Sequence, residues 1–216
     1  MGRLDGRGIR NDAVSFSRDR ARQSLNQYRE QLRDIVRRTG ALLRLDHEIQ
    51  LASGEMSRDF IDGKLAVAHP DHLDVAGAAM LAAAHEAQVT FEAVGGLVLG
   101  AVPYTFAVAS KARVEWFLVR KESKGRGTDR LTEGAAIGGR PVMVVDDVVT
   151  TGGSIQLACE RIEDAGAHVV FAATLVDRGD VARRYFEDKQ IPYAPMLTYR
   201  DLDIAPVGGS QHAQAV

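Results

Sequence analysis

The chain has 216 residues, a formal net charge of −2 and a single cysteine, Cys159. This length predicts one domain with a substantial core, and the near-neutral charge argues against nucleic acid as the main partner. Because one cysteine cannot form a disulfide framework, and because neither a signal peptide nor an apolar run of membrane-spanning length is visible, we expect a soluble cytoplasmic protein with no membrane partner.

The first forty residues divide into a glycine- and arginine-rich start and a helical pattern. We expect residues 1–11 to be disordered and residues 12–40 to form a helical segment that Gly40 stops. Its apolar stripe is Leu25, Tyr28, Leu32, Ile35 and Val36. Its basic face, predicted to be solvated, is Arg29, Arg33, Arg37 and Arg38. The helix would either lie over the domain or pair with a second subunit.

Residues 41–70 mix short alternating strands with Ser-Gly turns. Two strands, near 49–52 and 59–61 and joined by Ser53 and Gly54, predict a small hood rather than a layer of the core. A helix is predicted to begin at Pro70 and to run to Ala84.

Residues 71–200 are predicted to form the core, and 205–216 a flexible tail. Strands are expected at about 92–99, 114–119, 141–145, 168–175 and 193–198, and helices at 103–110, 154–165 and 180–189. This alternation is typical of a parallel α/β sheet, whose ligands bind beyond the carboxyl ends of the strands.

The stretch PVMVVDDVVTTGGS, from Pro141 to Ser154, carries the strongest signal for chemistry. A buried strand is predicted to end in Asp146 and Asp147, and a helix begins near Ser154. Free amides, the helix dipole, glycines and hydroxyls at such a start favour phosphate binding. The carboxylates would repel phosphate, so their partners would be ribose hydroxyls or a water-bound magnesium ion. The stretch lacks the lysine of a Walker A loop and the glycine spacing of a dinucleotide fold.

A glycine-rich turn, GGLVLGAVPY, follows the first core strand. Gly95, Gly96 and Gly100 would let the backbone approach an anionic ligand closely. Taken alone this signal is weak, because glycines at a strand end are usually just turns.

The cationic loop, RKESKGRGTDRLTEG at 120–134, is predicted to link two buried strands. Its basic residues are Arg120, Lys121, Lys124, Arg126 and Arg130. A solvated loop is one interpretation. A lid over pyrophosphate is favoured, because a long loop with glycine hinges can add positive charge where negative charge develops.

Asp177 and Arg178 follow the apolar run VVFAATLV. An arginine at this edge of the sheet can pair with a carboxylate or with two ring acceptors. An ordinary ion pair of Arg178 with Asp177 or Asp180 fits the sequence equally well.

Four motifs in this order resemble those of the orotate phosphoribosyltransferases over about residues 28–200. They are Ser53-Gly54-Glu55-Met56-Ser57, the run from Val119 to Gly127, the run from Asp146 to Ser154, and Asp177-Arg178. The resemblance implies an α/β, type I phosphoribosyltransferase fold, with a mainly parallel five-stranded sheet flanked by helices and a small N-terminal hood. It also implies a homodimer in which the cationic loop reaches into the neighbour's site.

The resemblance further implies transfer of a phosphoribosyl group from 5-phosphoribosyl 1-pyrophosphate (PRPP) to orotate. The products would be orotidine 5'-monophosphate and pyrophosphate, as in pyrimidine biosynthesis, and Mg²⁺ would be held by PRPP and water near the two aspartates. The implied PRPP-binding residues are Arg120, Lys121, Lys124, Arg126, Asp146, Asp147, Val148, Val149, Thr150, Thr151, Gly152, Gly153 and Ser154. Lys124, Asp147 and Arg126 would be catalytic, and Thr150 and Arg178 would contact the base.

Three positions depart from the family pattern. Arg126 stands where the family usually has histidine, Ala52 where a lysine often precedes Ser-Gly, and Gly100 where some members carry lysine. Two alternatives therefore stay open: a related enzyme acting on another nucleobase, and a non-catalytic PRPP-sensing regulator. Retention of the loop lysines favours an enzyme.

Overall fold

The computed structural model describes residues 18–122 and 130–208. The helices are α1 (Arg18–Arg38), α2 (Gly63–Ala66), α3 (Pro70–Glu86), α4 (Val102–Ala112), α5 (Gly153–Asp164) and α6 (Val181–Asp188). The strands are β1 (Leu42–Gln50), β2 (Met56–Ile61), β3 (Ala93–Leu97), β4 (Glu115–Val119), β5 (Thr132–Gly134), β6 (Pro141–Val149), β7 (His168–Asp177) and β8 (Tyr193–Thr198). From residue 70 onwards the predicted helices and strands are confirmed to within a few residues.

The main sheet has the strand order β5-β4-β3-β6-β7-β8. Five of these strands run parallel, which confirms the mainly parallel α/β fold, and β5 adds a sixth, antiparallel strand at the edge. The last residues of the cationic loop, 132–134, therefore pair with β4 before the chain enters β6, instead of leading directly from one buried strand to another. The three residues of β5 are too few to show an alternating pattern in the sequence.

Helices cover both faces of this sheet because successive strand residues point to opposite sides. Met143 and Val145 belong to the apolar layer that contains residues of α1, α3 and α4. Val142 and Val144 belong to the layer formed with α5 and α6. Side chains of the continuous apolar run of β6 therefore pack into both apolar layers.

Helix α1 covers the domain and packs mainly against α3. Its predicted apolar stripe is confirmed, since Leu25, Leu32 and Val36 are fully buried. The basic face is less solvated than expected, because Arg29 donates to the carbonyl oxygen of Pro195 in β8 at 3.2 Å. Burial lowers the pKa of Arg29. Arg29 is partly buried because α1 contacts β8 in addition to packing against α3.

The hood is a two-stranded antiparallel sheet of β1 and β2. Strand β2 begins earlier than the predicted 59–61, and β1 lies mostly ahead of the predicted 49–52. The prediction of β1 was wrong because the strand is largely exposed and its side chains show no clean alternation. Arg44 in β1 donates to the carbonyl oxygen of Asp203. The hood is thereby tied to the chain that follows β8.

The chain after β8 packs back onto the sheet. Val207 is buried, and its amide donates to the carbonyl oxygen of Arg178 at 2.7 Å. Residues 205–208 therefore differ from the predicted flexible tail, whereas residues 209–216 lie outside the described range.

Cys159 is fully buried, and burial raises the pKa of its thiol to about 12, which fits a packed core residue. Within residues 18–122 and 130–208, no helix combines the length and apolar character needed to cross a membrane.

Candidate active site

A cavity of about 280 Å³ opens where β6 turns into α5. The turn contributes Val148, Val149, Thr150, Thr151, Gly152, Gly153 and Ser154 to its walls. Ala52 and Ser53 line it from the hood, and Lys121 lines it from the start of the cationic loop. The structure thus brings together three of the motifs singled out in the sequence, at the edge where α/β sheets bind ligands.

The TTGGS loop, residues 150–154, forms an uncapped helix start. Gly152 is the N-cap of α5, has a φ of 80° and makes no side-chain cap hydrogen bond. This left-handed conformation favours glycine, and a Cβ here would lie 3.0 Å from Nε2 of Gln156. Because no capping side chain occupies the first amides of α5, they are available to an anion.

Two oxygen atoms in the cavity walls are buried without a hydrogen-bond partner among the described residues. They are Oδ2 of Asp146 and Oγ of Ser53. Leaving such an atom unsatisfied costs roughly 1–3 kcal/mol. Both atoms are therefore candidates for contact with a bound ligand.

Asp146 lies inside β6, which continues to Val149, beyond the predicted bounds of 141–145. Its side chain is only 4% exposed, and Oδ1 accepts from the amide of Asp147 at 2.9 Å. Burial raises the pKa of Asp146 well above its ordinary value, and the charge of Asp147 raises it further. A ligand donor beside Oδ2 would favour the ionised form.

Asp147 faces the opposite side of β6 from Asp146. It follows Val145 by two positions, and Val145 belongs to the layer of α3 and α4. Its Oδ2 lies 3.7 Å from Nζ of Lys64 in α2, a contact that the sequence did not predict. The acidic pair is therefore divided between two sides of one strand.

The three glycines after Glu92 differ in their surroundings. Gly95 and Gly96 lie within β3, where a Cβ would come within 2.6 Å of the Phe117 ring and of Ala101, respectively. A Cβ on Gly100 would instead overlap the carboxylate of Asp147. Gly95 and Gly96 allow close packing within the sheet, and Gly100 lies against the carboxylate of Asp147.

Arg178 is almost fully buried and binds the hood instead of forming the alternative ion pair with Asp177. Nη1 donates to the carbonyl oxygen of Asp59 at 2.7 Å, and Nη2 donates to Oγ of Ser57 at 3.0 Å. Nη2 also lies 3.4 Å from the carbonyl oxygen of Ala205. Burial lowers the pKa of Arg178, and its Nε has no partner among the described residues.

Asp177 has other partners. Its Oδ1 accepts from the amide of Gly179 at 3.0 Å, and its Oδ2 accepts from the hydroxyl of Tyr193 at 2.9 Å. Burial raises the pKa of Asp177, and these two hydrogen bonds counteract that effect. Asp177 therefore shapes the turn that carries Arg178.

The described ends of the cationic loop differ in their contacts. Arg120 pairs with Glu133 in β5, with 2.9 Å between Nη1 and Oε1, and Lys121 is exposed at the cavity. Lys124 and Arg126, predicted to be catalytic, lie in residues 123–129, outside the described range.

The possible metal contacts are few. In the described parts of the chain, no group of three or more histidine, cysteine, aspartate or glutamate side chains could hold a metal ion. Asp146 offers one oxygen without a protein partner and Asp147 is half-buried nearby. This donor set fits an ion held mostly by ligand oxygens and water.

The chain is similar to known proteins over most of its length. The family model described as "Phosphoribosyl transferase domain" matches residues 74–193. Orotate phosphoribosyltransferase of Methanothermobacter thermautotrophicus is 39% identical over 153 residues, covering 71% of this chain and 83% of that protein. The corresponding protein of Rhodopirellula baltica is 33% identical over 168 residues, covering 74% and 87%.

Solved structures agree with the sequence relatives. Orotate phosphoribosyltransferase of Mycobacterium tuberculosis in complex with PRPP superimposes with a TM-score of 0.66 at 31% identity. The match covers 82% of this chain and 99% of that one. The protein of the same name from Aeropyrum pernix gives a TM-score of 0.67 at 29% identity, covering 79% and 95%.

Proposed function

This chain belongs to the phosphoribosyltransferase family, as an orotate phosphoribosyltransferase, and we propose that PRPP and orotate react in the cavity at the end of β6. The enzyme transfers the phosphoribosyl group of PRPP to N1 of orotate, giving orotidine 5'-monophosphate and pyrophosphate. The observation that carries the proposal is the shared cavity, in which an uncapped helix start, a buried carboxylate and the hood meet.

PRPP would bind along the carboxyl end of β6. The amides and hydroxyls of the TTGGS loop would hold the 5-phosphate, with the dipole of α5 adding attraction. Ribose hydroxyls would donate to Asp146 and Asp147. The partnerless Oδ2 of Asp146 supports this placement, because a hydroxyl donor would satisfy it.

Catalysis would be mainly electrostatic. Breaking the bond between C1 of ribose and pyrophosphate leaves positive character on the sugar, which Asp147 would stabilise, and negative charge on the leaving group. Arg120, Lys121, Lys124 and Arg126 would neutralise that charge as N1 of orotate forms the new bond to C1 and its proton passes to the departing pyrophosphate or to water. A magnesium ion held by PRPP and water would supply further positive charge to the pyrophosphate.

Orotate would lie between the TTGGS loop and the hood, contacting Thr150 and Arg178. Arg178 keeps a donor free at Nε while its other nitrogens hold Ser57 and Asp59. Its positive charge suits the orotate carboxylate.

We also place the enzyme in the cytoplasm as a homodimer with the cationic loop shared between subunits. Three large apolar side chains support a dimer surface: Leu99 is 74% exposed, and Phe106 and Trp116 are each 40% exposed. The rings of Phe106 and Trp116 meet edge to face, with centroids 5.0 Å apart. An exposed aromatic pair of this kind is consistent with an interaction surface.

The direct test is to mix the protein with magnesium, PRPP and orotate and to follow the loss of orotate absorbance. Uracil, adenine and hypoxanthine serve as competing bases. Turnover of orotate above all others supports the proposal. Turnover of another base alone would establish the related-enzyme alternative, and PRPP binding without turnover of any base would establish a regulator.

Lys124→Ala is expected to lower kcat by roughly 10- to 100-fold with a smaller change in PRPP affinity, because its charge acts on the leaving pyrophosphate. Steady-state kinetics and calorimetric titration with PRPP measure the two effects.

Co-expression of the Lys124→Ala and Asp147→Asn subunits should recover about a quarter of wild-type activity if the loop is shared, since half the dimers then contain one intact site. No recovery would contradict a shared loop.

Gly100→Ala is expected to lower kcat/KM by about 10-fold, because the new methyl group displaces the Asp147 carboxylate. Gly138→Ala is the matched control, since a Cβ there would meet nothing closer than the Ala165 carbonyl oxygen at 3.4 Å. Kinetics of both variants beside their thermal midpoints make the comparison. Equal activity of the two variants would show that Asp147 tolerates displacement.

A further inference from the structure

Asp147 is enclosed by residues from three elements that surround its side chain. Gly63 and Lys64 belong to α2, Gly100 follows β3, and Tyr104 lies in α4. A Cβ at Gly63 would lie 2.8 Å from Cβ of Asp147, and one at Gly100 would lie 2.8 Å from its Cγ. Backbone therefore approaches the aspartate from two directions and limits its rotation.

The start of α2 is itself held in place from two sides. The Asp62 side chain caps the helix by accepting from the amides of Lys64 and Leu65, at 3.1 and 3.2 Å. From the other side, the hydroxyl of Tyr104 donates to the carbonyl oxygen of Gly63 at 2.7 Å. Tyr104 is fully buried, so this anchor is rigid. The backbone of Lys64 is thus held beside Asp147.

Lys64 brings a positive charge to Asp147. Its Nζ lies 3.7 Å from Oδ2 of Asp147 and 3.5 Å from Oδ1 of Asp62. The lysine side chain is 54% exposed, whereas that of Asp147 is 17% exposed. An ion pair with one solvated partner contributes little to folding, so Lys64 can be replaced without unfolding the protein.

We propose that Lys64 is a positioning residue of the transfer reaction, which compensates the charge of Asp147 and holds its carboxylate toward the ribose hydroxyls. This inference rests on the proposed contact between Asp147 and ribose. Gly63 and Gly100 have no side chains and so provide the space that the Asp147 carboxylate occupies. Lys64 is the ion-pair partner of its Oδ2. Charge and packing together give the carboxylate one orientation.

The test compares Lys64→Met with Lys64→Arg and with Lys111→Met, in which a lysine paired with Asp74 is lost away from the cavity. Lys64→Met is expected to lower kcat/KM by about 10- to 50-fold, whereas the other two stay within about 3-fold of wild type. All three variants should keep the wild-type thermal midpoint. A parallel fall of midpoint and activity in Lys64→Met would overturn the proposal in favour of a structural role.

A double-mutant cycle with Asp147→Asn identifies the route of the effect. Because Lys64 acts through Asp147, adding Lys64→Met to Asp147→Asn should cost less than about 3-fold more. The same full loss in both backgrounds would overturn the proposal, since Lys64 would then act independently of Asp147.

Calorimetric titration with PRPP and magnesium repeats the cycle without turnover. A weakening of PRPP binding by Lys64→Met that vanishes in the Asp147→Asn background supports the proposal, and a weakening that persists there overturns it. Wild-type protein that binds PRPP without consuming orotate would refute the proposed function, while these titrations would still decide the role of Lys64.

Discussion

Asp146→Asn is expected to lower kcat/KM by roughly 10²- to 10³-fold, because it removes a charge placed beside the proposed ribose site. Asparagine can keep the hydrogen bond from the amide of Asp147, since its side-chain oxygen also accepts. The variant therefore distinguishes the effect of losing the carboxylate charge from the effect of disturbing the local structure. Initial-rate kinetics with PRPP as the varied substrate measure the loss.

The same substitution is expected to raise the thermal midpoint at neutral pH. Burial raises the folded-state pKa of Asp146 above the unfolded value, so folding disfavours the ionised form. The associated stability is fully present below the ordinary aspartate pKa and is lost as pH rises through the raised one. The advantage of the asparagine variant should grow over that interval, as measured by thermal unfolding at several pH values.

Asp188→Asn, an exposed change at the end of α6, is the matched control and should alter neither the activity nor this pH dependence. A variant Asp146→Asn that is less stable than wild type at every pH would show that the buried charge is satisfied in the folded protein. Wild-type activity in that variant would remove Asp146 from the PRPP site.

Arg178→Ala is expected to destabilise the protein by about 3–5 kcal/mol, because it leaves a cavity and buried acceptors without donors. The guanidinium joins the turn after β7 to β2, through Ser57 and Asp59, and to Ala205. Urea unfolding measures the loss, and amide hydrogen exchange should show reduced protection in β2 and in residues 204–208.

Arg178→Lys separates the two proposed roles of this residue. One ammonium group cannot reproduce the fork of donors, so we expect partial stability and a KM for orotate raised more than the KM for PRPP. Arg184→Ala, an exposed change on α6, is the control and should leave both KM values unchanged. Equal increases of the two KM values in Arg178→Lys would argue against contact with the base.

Short-range patterns predicted much of the fold. The apolar run of β6 and the helical spacing after Ser154 identified the central strand and α5, because strand and helix periods are set by neighbouring residues. The edge strand β5 was not predicted, because three residues are too few to show an alternating pattern of apolar and polar side chains. The long β1 was not predicted either, because a mostly exposed strand shows no strict alternation.

The sequence singled out only part of the candidate site. The TTGGS loop and Asp146, which line the cavity, could be singled out because their pattern lies within one stretch of chain. Lys64 was missed, since nothing within α2 indicates that its partner is Asp147. The pairing depends on the approach of Gly63 and Gly100 to that aspartate, which is a property of the packed hood and sheet.

The amino-acid sequence by itself determined the α/β class, the central strand and the glycine- and hydroxyl-rich helix start after it, because each follows from residues a few positions apart. The tertiary structure alone decided that Asp146 and Asp147 face opposite layers and that Arg178 binds the hood carbonyl of Asp59, 119 positions away. Contacts between distant residues depend on how whole elements pack, and local propensity contains no information about that packing.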